Sequence, residues 1–360
     1  MRGNKPMASA YLHYLETGKI IAEANSTSPL YEISKLFLHR IITGYGPDHY
    51  VTYSLFKIPV NVKRWREYVD KRDLCEILFM HNKKTHFKVL EDKVAFARQC
   101  CDLQLPHPPI HFTVGYAGGD FVVSDFRGNE IATAFENLSN GDYIVKTCVG
   151  SYGINLWSVT KTDKSILVHN DQTQLTAGQF SDRLLASGER YLVQDKIAVA
   201  RSLRGIMPGG ACGSIRVNSF LRSDGSVVIP YVMVKLPVIG PVSDNFVGGD
   251  SGNMLAMVDM ESQCFTRVLK KFANGLLGEV THHPDTGIDL RNYHFPELSA
   301  ALEMGRECAL KFPHIPAVGW DIVVTDQGPM VLEGNPMFDP VIPQLCASRG
   351  LRSIIPQLLE

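Results

Sequence analysis

The sequence predicts an α+β protein in which a helical N-terminal element precedes a larger body of strand hairpins. Three observations carry this expectation. Residues 7–41 and 63–80 place apolar side chains at helical spacing, among them Tyr11, Leu12, Leu15, Tyr31, Ile33, Leu36, Leu38 and Ile41. From residue 142 onward, runs rich in β-branched and aromatic residues alternate with glycine-containing turns. The apolar segments Gly319–Val324 and Met330–Pro336 flank the turn-like Thr325-Asp326-Gln327-Gly328-Pro329, the pattern of a hairpin buried on both faces.

Composition sets the frame. At 360 residues, with 45% hydrophobic and 20% charged side chains, the chain is long enough for one large domain or two to three ordinary ones. A formal net charge of −1 and a pI near 6.9 give no electrostatic reason to expect nucleic acid or an anionic membrane as partner. The first residues contain no apolar core of a leader, and no run approaches the ~20 apolar residues that span a bilayer, so a cytoplasmic protein is expected. The eight cysteines form no C-x-x-C pair, which points away from zinc and from a disulfide scaffold. Cys212, within Gly209-Gly210-Ala211-Cys212-Gly213, is the one in a suggestive loop.

Each element follows in order. The N-terminal helical region holds no motif to which chemistry attaches. After a break at Asn82-Lys83-Lys84, a helix is expected from Glu91-Asp92-Lys93 through Phe96 and Cys100, stopped by Leu105-Pro106-His107-Pro108-Pro109. Taken alone, Lys93 is a solvated lysine at a helix start. Asp142–Cys148 reads as a strand whose single lysine, Lys146, either snorkels to water or meets an anion. Gly150-Ser151-Tyr152-Gly153 then turns into a second strand, Ile154–Val159, and glycines in such a turn let backbone N–H groups fold over phosphates. Tyr191–Ile197 reads as a strand leaving a turn at Gly188.

Ser214–Leu221, Asp224-Gly225 and Val227–Lys235 form a strong hairpin signal. Centring the turn on Asp224-Gly225 pairs position 216 with 233 and 214 with 235, so Arg216, Asn218, Tyr231, Met233 and Lys235 share a face. Two cations on one face of a sheet are unfavourable unless an anion lies nearby. Asp244-Asn245-Phe246-Val247-Gly248-Gly249 is a polar turn before the strand Asn253–Val258. His282 and His283 are adjacent and point opposite ways on a strand, so they do not chelate together. Residues 297–311 have the spacing of an amphipathic helix.

The last hairpin holds the densest chemistry. Glu333 and Asn335 lie two apart on an extended run and project from one face. With the turn centred on Gln327, Asp321 lies across from Glu333 with Cβ atoms about 4.5–5.5 Å apart. Two carboxylates at that separation repel unless a cation lies between them, and oxygen ligands without Cys or His favour magnesium.

The segment Gly319–Pro336 resembles the C-terminal metal-binding signature of ATP-grasp enzymes, most closely the sugar-transfer-associated branch, and the likeness extends over roughly residues 85–340. The resemblance implies an ATP-grasp fold with two α+β subdomains sandwiching ATP. Residues 1–84 are then the helical N-terminal element, 85–190 the subdomain with the phosphate-covering loop, and 191–360 the subdomain with the hinge and metal site. It further implies that Asp321, Glu333 and Asn335 hold Mg2+ on the triphosphate. Lys93, Lys146 and the loop Gly150, Ser151, Tyr152 and Gly153 would meet the phosphates, although Ser151 and Tyr152 replace the smaller residues usual there. Gln194 and the backbone through Lys196 and Ile197 would meet adenine, with Asp195 in reach of the ribose. Arg216, and after it Lys235, would face the transferring phosphoryl group. The activity implied is an ATP- and Mg2+-dependent carboxylate–amine ligase working through an acyl phosphate, with amino acids, peptides or amino sugars as small-molecule substrates. A phosphotransferase on the same fold is the first alternative, and the sequence singles out no base for it. A non-catalytic nucleotide-binding protein of a biosynthetic complex is the second.

Overall fold

The computed structural model of the protein describes residues 7–117, 120–131, 135–150 and 155–360. The body contains two seven-stranded sheets whose paired neighbours are all antiparallel. Strands of the first are β1 (Ile110–Ala117), β2 (Asp120–Asp125), β3 (Gly141–Thr147), β4 (Leu156–Lys161), β5 (Ile166–Val168), β6 (Thr173–Leu175) and β7 (Tyr191–Asp195). Their order is β2-β1-β7-β3-β4-β5-β6. The second holds β8 (Ile215–Leu221), β9 (Val227–Leu236), β10 (Met254–Val258), β11 (Phe265–Lys271), β12 (Leu277–Glu279), β13 (Ala317–Thr325) and β14 (Gly328–Asn335), in the order β12-β11-β10-β9-β8-β13-β14. The expected hinge strand is therefore a central strand of the first sheet, and the boundary expected at 190/191 falls directly before it.

Register fixes which side chains share a face. In the second sheet Asp321 pairs with Glu333 on one side and with Arg216 on the other, and Arg216 pairs with Met233. Both pairings are those expected, but each is reached through a β-bulge: next to the turns the pairs are Thr325↔Gly328 and Leu221↔Val227, and the register shifts between Asp321 and Ile322 and between Asn218 and Phe220. Lys235, two residues beyond Met233, pairs with Leu255, and Met257 pairs with Met233. One face thus runs from acidic at β14 and β13, through Arg216 and Lys235, to apolar at β10 and β11. The opposite face packs Val217, Val232 and Val234 against the helix Leu298–Lys311, the amphipathic helix expected there.

The N-terminal element covers the apolar part of the functional face. Helices Met7–Asn25, Pro29–Thr43, Pro47–Thr52 and Val62–Glu67 supply Ile21, Leu36, Tyr50 and Trp65 to a core shared with Met233, Leu255, Met257 and Leu269, while the helix Lys71–Phe79 packs Leu74 and Leu78 into a neighbouring core with Phe220 and Phe338. Two buried amides stitch this element to the C-terminal part of the chain. Asn82 donates to the carbonyls of Ala317 and Pro336 and accepts from the Ala317 N–H, while Gln344 accepts from and donates to the backbone of Val69. The apolar spacing that marks the first two helices does not mark their buried face. Leu36 is buried, but Tyr11, Leu12 and Ile41 are exposed, because Leu36 and Ile21 turn toward the sheet.

In the first sheet, Tyr191, Val193 and Val145 face a core closed by Phe180 and Leu184 of the helix Ala177–Leu185. The other face carries Ile110, Ile144, Lys146, Leu192 and Gln194, which the pairings Ile110↔Gln194, Ile144↔Gln194 and Lys146↔Leu192 place together. The helix Lys93–Asp102, capped by Asp92, begins beside the end of β3, with Lys93 N–H bonded to the Cys148 carbonyl. Its Phe96 packs on Trp320 of β13, bringing the two sheets together.

Candidate active site

The centre of the site is a buried ion cluster on the second sheet. Arg216 donates to Asp321 through Nε at 2.6 Å and Nη2 at 2.9 Å, and Lys235 Nζ donates to Asp321 Oδ2 at 3.1 Å. Asp321 and Lys235 are 3% and 2% exposed, so this carboxylate and both cations have left bulk water together. Burial alone would raise the Asp321 carboxyl, but Arg216 and Lys235 outweigh it and hold the group well below the usual carboxylate range. Burial likewise works against the Arg216 charge, and Asp321 more than restores it. A second acid, Asp244, braces the cluster: its Oδ2 accepts from the Ser214 N–H at 3.0 Å and from the Ser214 hydroxyl, and lies 3.7 Å from Lys235 Nζ.

This arrangement gives Asp321 cation partners within the chain. The repulsion foreseen between Asp321 and Glu333 is relieved by side-chain cations, because β8 lies beside β13 and sets Arg216 directly across from Asp321. Glu333 and Asn335 do project together, and Asn335 Nδ2 donates to Glu333 Oε1 at 3.3 Å. Both line a pocket of about 310 Å3 with Arg216 and Lys235, whereas Asp321 does not line it. Among the described residues, no group of three or more His, Cys, Asp and Glu side chains is placed to hold a metal. One carboxylate and one amide oxygen facing a pocket nevertheless fit the sparse protein ligand set of Mg2+, which takes its remaining ligands from water and substrate phosphates.

Lys146 of the first sheet and Lys93, at the start of the helix Lys93–Asp102, approach the same cleft. Lys146 feels both Glu333 and Lys93; burial is the main reason its ammonium is pushed down to about 8, with Glu333 opposing the shift and Lys93 adding to it. Lys93 Nζ donates to the Gly150 carbonyl at 2.7 Å, at the start of the expected phosphate loop. Ser151, Tyr152 and Gly153 lie outside the described residues. Gln194 is buried on the Lys146 face, and its Oε1 has no hydrogen-bond partner among the described residues. That is an acceptor in want of a donor, beside the apolar Ile110, Ile144 and Leu192.

Other hinge residues are placed differently. Asp195 pairs with Tyr143, on the face opposite Gln194, and its carboxylate accepts from or pairs with His111 Nε2 at 2.7 Å. Alternation along the strand thus turns it away from the Lys146 face expected for a ribose contact. Lys196 donates to Ser158 Oγ at 3.0 Å, and Ile197 packs against the core of the second sheet. Burial pushes the Cys212 thiol up to about 12, which disfavours its thiolate.

Sequence reasoning missed His107, which stands edge-on to Phe96 and is pushed down to about 4 by burial and by the nearby Lys146. It also missed Thr52, Lys71 and Asp339, which wall the pocket on the side of the N-terminal element. The Leu-Pro-His-Pro-Pro segment gave no chemical signal for His107, and nothing in the helical N-terminus pointed to a cleft.

The fold is that of an ATP-grasp protein. The chain matches the sugar-transfer associated ATP-grasp family over residues 76–358 and belongs to that family. Among solved structures it is similar to N5-carboxyaminoimidazole ribonucleotide synthetase from Thermotoga maritima, at 10% identity and a TM-score of 0.36, over 75% of this chain and 49% of that one. It is also similar to the D-alanine-D-alanine ligase from Coxiella burnetii, at 11% identity and 0.39, over 77% and 58%. The L-amino acid ligase from Bacillus licheniformis matches at 9% identity and 0.35, over 70% and 41%. The chain thus spans about half the length of these structures. No curated protein sequence matches it. Among the described residues, no helix is long and apolar enough to cross a membrane.

Proposed function

We propose that this protein is an ATP- and Mg2+-dependent ligase that joins a carboxylate to an amine through an acyl phosphate. The observation that carries the reading is the Arg216–Asp321–Lys235 cluster, which holds two cations at a pocket shared with Glu333 and Asn335. Asp321 serves to position both cations. A carboxylate must lose its charge before an amine can attack it, and cations already held in place stabilise charge there without reorganising. Glu333 and Asn335 would hold Mg2+, which supplies charge neutralisation on the triphosphate when bound. Lys146 of the first sheet and Lys93 of the helix beside it would meet the β- and γ-phosphates, while Gln194 offers its acceptor to the base.

In the first step the substrate carboxylate oxygen bonds the γ-phosphorus and the bond to ADP breaks, with Arg216 and Lys235 beside the migrating phosphoryl group. In the second, a neutral amine forms the C–N bond. The resulting oxyanion faces the same cations, and collapse breaks the C–O bond to phosphate, which carries away the second amine proton as hydrogen phosphate. No side-chain nucleophile takes part.

The test is incubation of the purified protein with Mg2+ and ATP against pooled carboxylates and amines, with nucleotide and products identified by mass spectrometry. ADP with a product of mass acid plus amine minus water supports the ligase. AMP refutes the acyl-phosphate route, and ADP with a phosphorylated compound assigns a phosphotransferase instead.

A further inference from the structure

Another cavity lies at the far end of the functional face. The row of paired residues that begins at Asp321 and Arg216 continues through Met233 and Met257 to Arg267 on β11. Arg267 therefore projects from the same face as Arg216, three strand spacings or about 14 Å beyond it. There a cavity of about 210 Å3 opens, lined by Lys57 and Arg64 of the N-terminal element, by Arg267 and Glu279 at the sheet edge, and by Gln344 and Leu345 of the helix Val341–Ala347. We propose that this cavity binds a phosphate group, carried by orthophosphate or by a small phosphate monoester, at a site separate from that of the triphosphate, and that the bound group clamps the N-terminal element onto the sheet.

Charge supports the class. The cavity wall carries three cations, Lys57, Arg64 and Arg267, and one acid, Glu279. Three less one leaves a surplus of two positive charges, which matches the charge of about −1.5 to −2 on a phosphate monoester near pH 7. Glu279 is 62% exposed and stands 3.9 Å from Arg267 Nη1, beyond hydrogen-bond reach, so it leaves the guanidinium largely uncompensated. Lys57 and Arg64 form no ion pair among the described residues; the Lys57 ammonium lies over the ring of Phe56. The cations are also held in place. Arg267 donates from Nη2 to the Leu345 carbonyl, which leaves Nε and Nη1 for an anion. Burial raises the Tyr68 hydroxyl while Arg64 and Arg267 oppose the shift, so both guanidinium groups stand near one buried oxygen at the cavity wall. Size sets the limit. The cavity is smaller than the roughly 300–1,000 Å3 of sites that enclose whole small molecules, so it takes one group and leaves the rest of an ester in water. The clamp follows from where the walls originate. Val341 and Ile342 line the pocket over Arg216 and Lys235, while Gln344 and Leu345 of the same helix line this cavity. An anion that bridges Lys57 and Arg64 to Arg267 ties the N-terminal element, which walls the pocket over Arg216, to the far edge of the same sheet.

The test uses the whole protein with Mg2+ and a non-hydrolysable ATP analogue, so that the triphosphate site is filled, titrated at fixed ionic strength with orthophosphate, with glycerol phosphate and with acetate. Isothermal titration calorimetry is expected to show one saturable site per chain for at least one of the two phosphates and none for acetate. Orthophosphate binding at least as tightly as the ester identifies the free ion as the source, and tighter binding of glycerol phosphate identifies an ester. Lys57→Glu and Arg64→Gln should each weaken binding by about tenfold or more, the size of one lost charge-assisted contact, with affinity for the ATP analogue unaltered. Both side chains are exposed, so their replacement leaves the fold intact. Saturating phosphate should also slow limited proteolysis of the N-terminal helices in the wild type and not in Lys57→Glu. Absence of saturable binding, equal binding of acetate, or unaltered binding by either variant overturns the site. Binding that both variants weaken, with digestion of the wild type unslowed, upholds the site and overturns the clamp.

Discussion

Asp321→Asn is the sharpest probe of the ion cluster. The substitution keeps size and shape, removes the charge between Arg216 and Lys235, and points an amide N–H2 toward cations that need an acceptor. Three hydrogen bonds of 2.6, 2.9 and 3.1 Å are affected, and the side chains left behind are 9% and 3% exposed. Removing one partner of such a buried pair costs about 3–5 kcal/mol, because the remaining charge has neither water nor a counter-ion. Urea unfolding at pH 7 and 25 °C, with the slope compared between variants, measures the loss. The pH dependence has a definite sign. Because the folded carboxyl lies below its ordinary value, the stabilisation is complete above about pH 4 and disappears as pH falls through the lowered folded value. The gap between wild type and variant is therefore expected to be flat from about pH 5 to 8 and to close only in stronger acid. A loss under about 1 kcal/mol, or the same loss when Arg216 is already methionine, refutes the coupling.

Glu333→Gln is expected to abolish Mg2+-dependent ATP turnover while the unfolding midpoint stays near that of the wild type; turnover at the wild-type rate removes Glu333 from the site. Lys146→Ala is expected to raise the Kd for ATP by about tenfold or more. Because the Lys146 ammonium is pushed down to about 8, ATP affinity should also weaken as pH rises through that value, and Lys146→Arg should erase the step; isothermal titration from pH 7 to 9.5 checks both. Gly350→Ala places a Cβ 2.0 Å from the Glu67 carbonyl carbon, a backbone contact that cannot yield locally. It should lower the melting temperature and expose the N-terminal helices to limited proteolysis, and an unchanged digestion pattern counts against that close approach.

How far the sequence discloses such a site depends on whether its geometry is local. The pairings of Asp321 with Glu333 and of Arg216 with Met233 were within reach of the sequence because nearby turns set each register to within one residue, and a β-bulge in each hairpin supplies the last step. The contact that matters most, Arg216 with Asp321, joins residues 105 apart through the adjacency of β8 and β13, which no turn specifies. Two local conflicts were visible in the chain, acid facing acid on one hairpin and cation beside cation on the other. Each was read as a demand for an outside ion, and for the carboxylate at 321 the answer lay in the other hairpin. For the N-terminal element, spacing reports the helices, but the sheet they meet decides which side is buried.

That mutual neutralisation has a functional consequence. Were Arg216 and Lys235 unpaired, an incoming phosphoryl group would have to gather and desolvate two mobile cations, and the cost would fall within the reaction. With Asp321 behind them and Asp244 beside Lys235, the cations are fixed before any substrate arrives. On the proposed ligase reading the three acids take separate tasks. Asp321, turned inward and spent on cations, sets geometry. Asp244 does the same for Lys235 from the loop before β10, while Glu333, which lines the pocket, keeps its carboxylate available to a bound ion. Replacing Asp321 should therefore lower both stability and turnover, whereas replacing Glu333 should lower turnover alone, and that split is what a set of three interchangeable metal ligands would not produce.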